Sequence, residues 1–325
     1  MSGASMLDTP APAPASPTAA ARNRDRFDRE ELAISIVVPA YNEQGAVELT
    51  IRDARAALDS LNGPWIGADS EIIIINDGSR DETGSVAERC GAVVITHPHN
   101  LGYGAAIKTG IQAAKNDTIV IMDADGTYPI GNLQELLDGY RKGFDMVIGA
   151  RQGKHYRESF SKSLLRLVLT FLVEFTTGRD VPDVNSGFRV FSKATVTPYF
   201  HNLCDTFSFT TSLTLAYMMT RRFVSYVPIP YGMREGTSKV RLMRDSLRTL
   251  EYIVLAATYY DPLKLFALLS VICIILSFAG FGISFLFGIK GGYILGLGGL
   301  LVALMIFSTG LLASLLKQIM DKGRA

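Results

Sequence analysis

The chain has 325 residues, 48% of them hydrophobic and 19% charged, and its 32 Lys and Arg against 31 Asp and Glu leave a formal net charge of +1. The charge is unevenly spread: residues 263–316 contain two charged side chains, Lys264 and Lys290, while the rest of the chain carries an ordinary soluble-protein share. These values argue against a wholly disordered chain and against a nucleic-acid binder relying on a net basic field, and three scattered cysteines (Cys90, Cys204, Cys273) make neither a disulfide framework nor a zinc cluster.

Residues 1–32 are rich in Ala, Pro and Ser and then alternate in charge without apolar periodicity, which predicts a disordered tail. They lack the apolar core behind a basic start that a secretory signal needs, and a reducing, cytoplasmic setting fits the soluble part of the chain. Residues 33–240 read as a globular α/β domain. From Ala33 to about Ile148 the runs ISIVVPA, EIIIIND, GAVVITH, TIVIMDAD and DMVIGAR alternate with helix-compatible segments such as Gly45–Leu61 and Ala105–Lys115. Strands that are apolar at consecutive positions are buried on both faces, so this alternation predicts a Rossmann-like, mostly parallel sheet flanked by helices. His97 and His99 form a His-x-His pair, but metal binding needs three or four ligands and no third nitrogen or sulfur is near in sequence.

Residues 157–176 and 241–262 each begin basic and become apolar. They are predicted to be amphipathic helices at a membrane surface, Arg and Lys toward headgroups; a core helix with a solvated start is the alternative. Within 263–318, the uncharged runs 265–289 and 291–316 have 25 and 26 residues. At about 1.5 Å per residue each spans roughly 37 Å, more than the ~30 Å hydrocarbon layer, which predicts a two-helix transmembrane hairpin. The turn carries Lys290 alone, whereas the flanks carry Arg241, Arg244, Arg248, Lys317, Lys322 and Arg324. The positive-inside bias then places the soluble domain and the tail 319–325 in the cytoplasm, the expected localisation of a multi-pass membrane protein.

Chemistry is expected beyond the carboxyl ends of the strands. TIVIMDADGTYP ends a buried strand with Asp123 and Asp125, which as i and i+2 residues of extended chain point to one side and can converge on a hard cation. A solvated turn is the competing reading of Asp-x-Asp-Gly, and the wholly apolar strand before it argues for the site. Asp77 ends EIIIIND, and the first strand ends in Pro39-Ala40-Tyr41-Asn42-Glu43, so three strand ends bring polar groups to one rim.

SIVVPAYNE, IIIINDGSRDETG, NLGYGAAIKTG and VIMDADGTYP, in this order and spacing, resemble the nucleotide-sugar-binding half of family 2 glycosyltransferases of the GT-A fold. With DVNSGFR at 183–189, REGTSKVR at 234–241 and the C-terminal hairpin, the chain resembles the polyisoprenyl-phosphate glycosyltransferases, the group of dolichyl-phosphate mannose synthase and the undecaprenyl-phosphate glucosyltransferases. The resemblance implies that Pro39, Tyr41 and Glu43 line a nucleoside pocket, with Ile75 beside the base and Asp77 hydrogen-bonding it. It implies that Asp123, Ala124 and Asp125 hold ribose, diphosphate and a Mg²⁺ or Mn²⁺ ion, with Thr127 as a shorter metal ligand where a mannose synthase has Gln. Arg151 matches an arginine near the phosphates. Arg157, Ser161 and Lys162 match the start of the helix that receives the lipid phosphate; Asp183 and Arg189 fall in the acceptor loop. Arg234, Ser238 and Lys239 match the diphosphate loop, with Arg234 one position out of the mannose-synthase spacing.

A lipid monophosphate has a second pKa near ~6 and is largely ionised at neutral pH, so it needs positioning more than a general base. The expected reaction is direct, inverting attack of the lipid phosphate on a nucleotide-activated sugar. Asp123, Asp125, Arg151 and Lys239 are the expected catalytic residues; a nucleotide sugar, a polyisoprenyl phosphate and the bilayer are the partners, and nucleic acid is not one. A membrane glycan synthase acting on a hydroxyl would need a base and a Gln-x-x-Arg-Trp motif, whereas the one tryptophan, Trp65, precedes the Asp pair. A non-catalytic binding subunit would not need the intact Asp and Arg set. UDP-glucose and GDP-mannose both stay open as donors, as do the lipid chain and the oligomeric state, a homo-oligomer included.

Overall fold

The computed structural model describes residues 32–61, 69–152, 170–230 and 242–322. Five strands, β1 (Ile34–Ala40), β2 (Glu71–Asn76), β3 (Val93–Thr96), β4 (Thr118–Ile121) and β5 (Met146–Gln152), occupy the apolar runs read from the sequence. Between them lie helices α1 (Val47–Leu61), α2 (Thr83–Arg89), α3 (Tyr103–Ala113) and α4 (Leu133–Arg141). Strands β6 (Arg189–Ser192) and β7 (Val224–Pro230) complete a seven-stranded sheet of order β3-β2-β1-β4-β6-β5-β7.

All neighbours pair in parallel except β6, which runs antiparallel to both β4 and β5. Alternation along β1 explains its unbroken apolar run. Ile34, Ile36 and Val38 pack under α1 and α4, while Val37 faces α3 and α6 (Phe209–Met219) on the other side. Residues Phe209 to Met218 of α6 are all buried, so this helix has no polar stripe to betray its period. Strand β7 contains Pro228 and Pro230, which an edge strand tolerates because one side makes no ladder bonds. Short helix α5 (Lys193–Val196) follows β6, its first turn capped by the Ser192 hydroxyl, which accepts from the Thr195 N–H.

Helix α7 (Leu242–Tyr260) follows, then α8 (Pro262–Phe287) and α9 (Lys290–Lys322). The Asp261 side chain accepts from Lys264 N, and Pro262 fills the first turn, so α8 starts sharply. It ends at Gly288, whose φ of 65° is left-handed. Helices α8 and α9 are long and apolar enough to cross a membrane, and most of their large side chains are exposed. They touch through glycines: a Cβ on Gly292 would meet Gly280 O at 2.7 Å, and one on Gly280 would meet Gly292 O at 3.0 Å. Gly296, one turn on, also packs inside the hairpin, where a Cβ would lie 2.6 Å from the Phe281 ring. Helix α9 runs past the sequence-expected end of the span at residue 318, and Lys317 Nζ donates to Tyr260 O at the junction with α7.

Candidate functional site

The parallel setting of β1, β2 and β4 brings their carboxyl ends to one rim, and the antiparallel β6 delivers the loop before it, residues 183–188, to the same rim. At the β1 and β2 ends lies a cleft of about 490 Å³ whose walls include Tyr41, Ser79, Arg80, His97, His99 and Asn100. Two backbone devices shape it. Asn42 adopts a left-handed φ of 52°, which Asn tolerates, and its side chain accepts from Arg80 N while its own N–H donates to Ser79 Oγ. Gly78 has φ 68°, and a Cβ there would lie 2.4 Å from His99 backbone, so this approach needs glycine.

Asp77 is 3% exposed and holds the cleft floor. Its Oδ1 accepts from Leu101 N at 2.9 Å and lies 2.7 Å from His97 Nδ1; its Oδ2 accepts from Gly102 N at 2.9 Å. His97 Nε2 in turn lies 3.0 Å from Thr109 Oγ1. A buried carboxylate with three such neighbours fixes the 97–102 segment. His97, of the His-x-His pair, is thus committed to Asp77 and Thr109, and among the described residues no three His, Cys, Asp or Glu gather as a metal cluster.

Beyond β4 the two carboxylates are each held by a hydroxyl. Tyr103, the first residue of α3, donates to Asp123 Oδ1 at 2.8 Å. Thr127 donates to Asp125 Oδ1 from its hydroxyl at 2.6 Å and from its N–H at 3.2 Å. Burial, and then the Asp123 charge, push the Tyr103 hydroxyl well above its ordinary range, so it stays a donor. The Ala124 carbonyl accepts from Thr50 Oγ1 at 3.1 Å, which ties the turn to α1. Two carboxylates and a hydroxyl form an all-oxygen donor set, the kind that suits Mg²⁺ or Mn²⁺.

Loop 183–188 packs against Asp123. A Cβ on Gly187 would sit 2.8 Å from both Asp123 Oδ1 and Tyr103 Oη, and Gly187 N donates to Tyr128 Oη at 2.7 Å. Asp183 is 1% exposed and faces Arg151 in a bidentate pair: Nε to Oδ2 at 2.7 Å and Nη2 to Oδ1 at 2.9 Å. Burial works to raise the Asp183 carboxyl, but Arg151 and the N–H groups of Arg151 and Asn185 outweigh it and hold the group below the usual carboxylate range.

Several sequence expectations change with this geometry. Arg189 is 0% exposed, and its guanidinium donates to Ser186 O, Val184 O and Thr214 Oγ1, so it buttresses loop 183–188 from beneath rather than reaching into the rim. Ile75 pairs with Pro39 across β1 and β2, but its side chain is fully buried with Ile107 and Ile111 of α3, away from the cleft. Strand alternation turns it to the α3 face, which a motif comparison does not reveal. Tyr41 lines the cleft. Glu43 anchors the turn: its N–H donates to Thr83 Oγ1, and its carbonyl accepts from Ala46 and Val47. Arg157, Ser161, Lys162, Arg234, Ser238 and Lys239 lie outside the described residues. Sequence reasoning missed Tyr103 as an Asp123 partner, although NLGYG places it at a helix start, and missed Arg80, His99 and Asn100 as cleft walls.

A mostly parallel sheet of this order, with a carboxylate pair beyond its fourth strand, is the architecture of the GT-A fold. Residues 35–199, about half of the chain, match the model of glycosyl transferase family 2, and the chain belongs to that family. Among curated relatives, it is 30% identical to the undecaprenyl-phosphate 4-deoxy-4-formamido-L-arabinose transferase of Salmonella paratyphi A over 264 residues, 78% of this chain and 75% of that one. It is 28% identical to the same-named transferase of Edwardsiella ictaluri, over 76% and 74% of the two chains. Among solved structures, glucosyl-3-phosphoglycerate synthase of Mycobacterium tuberculosis, in complex with Mn²⁺, uridine diphosphate and glucosyl-3-phosphoglycerate, superposes with a TM-score of 0.55 at 20% identity, covering 74% of this chain and 84% of that one. The same enzyme with Mg²⁺ and uridine diphosphate also gives 0.55 at 20% identity, over 70% and 79%. These structures share the fold.

Proposed function

We propose that this enzyme transfers one sugar from a nucleotide donor to a polyisoprenyl phosphate, with inversion, at the cytoplasmic face of a membrane. The observation that carries the reading is the rim itself: the cleft at the β1 and β2 ends, taken as the nucleoside pocket, and the Asp123/Asp125 pair beyond β4 lie at the same carboxyl edge of the sheet, in a chain that continues into two apolar helices. The curated relatives, named as undecaprenyl-phosphate sugar transferases, support the acceptor class.

The residues divide the work. Tyr41, Arg80 and His99 would enclose the nucleoside, with Asp77 fixing the wall behind it. Asp123 and Asp125 would hold a Mg²⁺ or Mn²⁺ ion, which when bound neutralises the charge of a departing diphosphate. Arg151 and Lys239 would compensate phosphate charge, Arg151 from its place on Asp183. Arg157, Ser161 and Lys162 would receive the lipid phosphate, and Arg234 and Ser238 the diphosphate.

Asp183 also bears on the acceptor. A carboxylate held below its usual range is a weak base, unsuited to deprotonating a sugar hydroxyl and unneeded by a phosphate that is already ionised. Helices α7, α8 and α9 would seat the domain against the bilayer, where such a lipid is held. The test is a purified-protein assay with lipid phosphate, a panel of nucleotide sugars, and Mg²⁺ or Mn²⁺. A lipid-linked monosaccharide supports the reading, and a polymer, or transfer to a hydroxyl, refutes it. Asp125→Asn should abolish transfer in a protein that still folds and stays in the membrane; near-normal turnover by this variant also refutes it.

A further inference from the structure

We propose that Tyr103 is a positioning residue for Asp123, and that Phe207 keeps it in place, so that the loop 203–208 sets the geometry of this carboxylate. The proposal rests on the reading of Asp123 as part of the donor and cation site.

The terminal torsion of an Asp side chain is broad, so an Asp at a strand end does not aim its oxygens by rotamer preference. Here Asp123 Oδ1 is pinned by the Tyr103 hydroxyl at 2.8 Å, and Gly187 comes so near that a Cβ on it would lie 2.8 Å from each of the same two atoms. Fixing one oxygen directs the other. The Tyr103 ring is itself held by Phe207, with ring centroids 5.7 Å apart and planes inclined by 17°. Phe207 is 42% exposed, and its ring lies over that of Tyr103.

The loop that carries Phe207 is fastened at both ends. Lys108 Nζ donates to Leu203 O and to Asp205 Oδ1, each at 2.6 Å, and Ala105 N donates to Asp205 O at 3.0 Å. Gly102, with φ 114°, and Gly104 let the backbones meet: a Cβ on Gly102 would lie 2.5 Å from Asp205 O. At the far end the Ser208 and Thr249 hydroxyls are 2.9 Å apart in a buried contact with α7. Tyr103 is therefore the point where a loop braced between α3 and α7 reaches a carboxylate of the rim.

The test uses the full-length protein in detergent and follows Mn²⁺ binding by electron paramagnetic resonance, with UDP and in parallel GDP, alongside Tm. Tyr103→Phe keeps the ring and removes the donor. It should weaken Mn²⁺ and nucleotide binding by ~10-fold or more, the usual effect of losing a group that orients a metal ligand, with Tm unchanged. Phe207→Ala should weaken binding in the same direction and Phe207→Tyr should restore it. Wild-type binding by Tyr103→Phe, with Asp123→Asn deficient, overturns the proposal and leaves the site reading intact. Losses that track equal falls in Tm in both Tyr103→Phe and Phe207→Ala also overturn it, since packing alone then explains them. Wild-type binding by Asp123→Asn overturns the site reading and the proposal with it.

Discussion

Replacing Asp183 by Asn isolates a buried ion pair beside the candidate site. In the folded protein this carboxylate accepts from Arg151 Nε, Nη2 and N and from Asn185 N, at 2.7 to 3.1 Å. An Asn offers one acceptor oxygen and turns an NH₂ group toward the Arg151 fork, leaving a largely buried guanidinium without its counter-charge. Breaking a buried pair by removing one partner costs several kcal/mol, and the partial solvent contact of Arg151 puts this case at about 3 kcal/mol. For a domain of this size that is a fall in Tm of about 6–12 °C. The assay is thermal unfolding of the full-length protein in detergent, followed by the Asp183→Asn, Arg151→Met and double variants as a cycle. The double variant should cost less than the summed singles, because it leaves no orphaned charge. The pH dependence has a fixed sign. The folded carboxyl lies below its ordinary value of 3.8, so its contribution is fully present above that value and is lost as pH falls through the lower folded value. An unchanged Tm in Asp183→Asn, strict additivity in the cycle, or a contribution that titrates between about pH 5 and 8 refutes the reasoning.

The site and the hairpin make further expectations. Gly187→Ala places a methyl 2.8 Å from Asp123 Oδ1 and Tyr103 Oη, so loop 183–188 must withdraw; the half-saturating Mn²⁺ concentration should rise while far-ultraviolet circular dichroism stays unchanged. Thr127→Val removes the 2.6 Å donor to Asp125 and should weaken Mn²⁺ binding by ~10-fold, measured by the same paramagnetic resonance titration. Gly292→Leu drives a side chain into Gly280 O and should loosen the α8–α9 contact; thermal stability in detergent should fall by ~1–3 kcal/mol, while the same change at Gly298, with open space around its Cβ position, should be near neutral.

The parallel part of the fold was legible because β1, β2, β4 and β5 are buried on both faces and therefore write unbroken β-branched runs. Strand β6, four residues long, and the proline-bearing edge strand β7 leave no such run. Helix α6 was hidden for the opposite reason: burial all round erases its period. At the site, Asp123 and Asp125 could be read from their place after an apolar strand. The pairing of Tyr103 with Asp123, and of Asp183 with Arg151, could not, because the partners lie 20 and 32 residues apart in the chain, a distance that local pattern does not span. Arg189 misled for a related reason: a motif gives the residue type, and only packing shows which way the side chain leaves the strand.

The grip of Arg189 on the loop above it has a further consequence. Two of its contacts are main-chain oxygens, Val184 O and Ser186 O, which every amino acid presents alike. The anchor therefore reads the path of the loop and ignores its side chains. The Val184 and Ser186 side chains are buried in their own right, and Asn185 Oδ1 accepts from Thr211 Oγ1, so the loop is held twice, by its path and by its packing. Such double fixing keeps Gly187, the next residue, at its close approach to Asp123 and Tyr103.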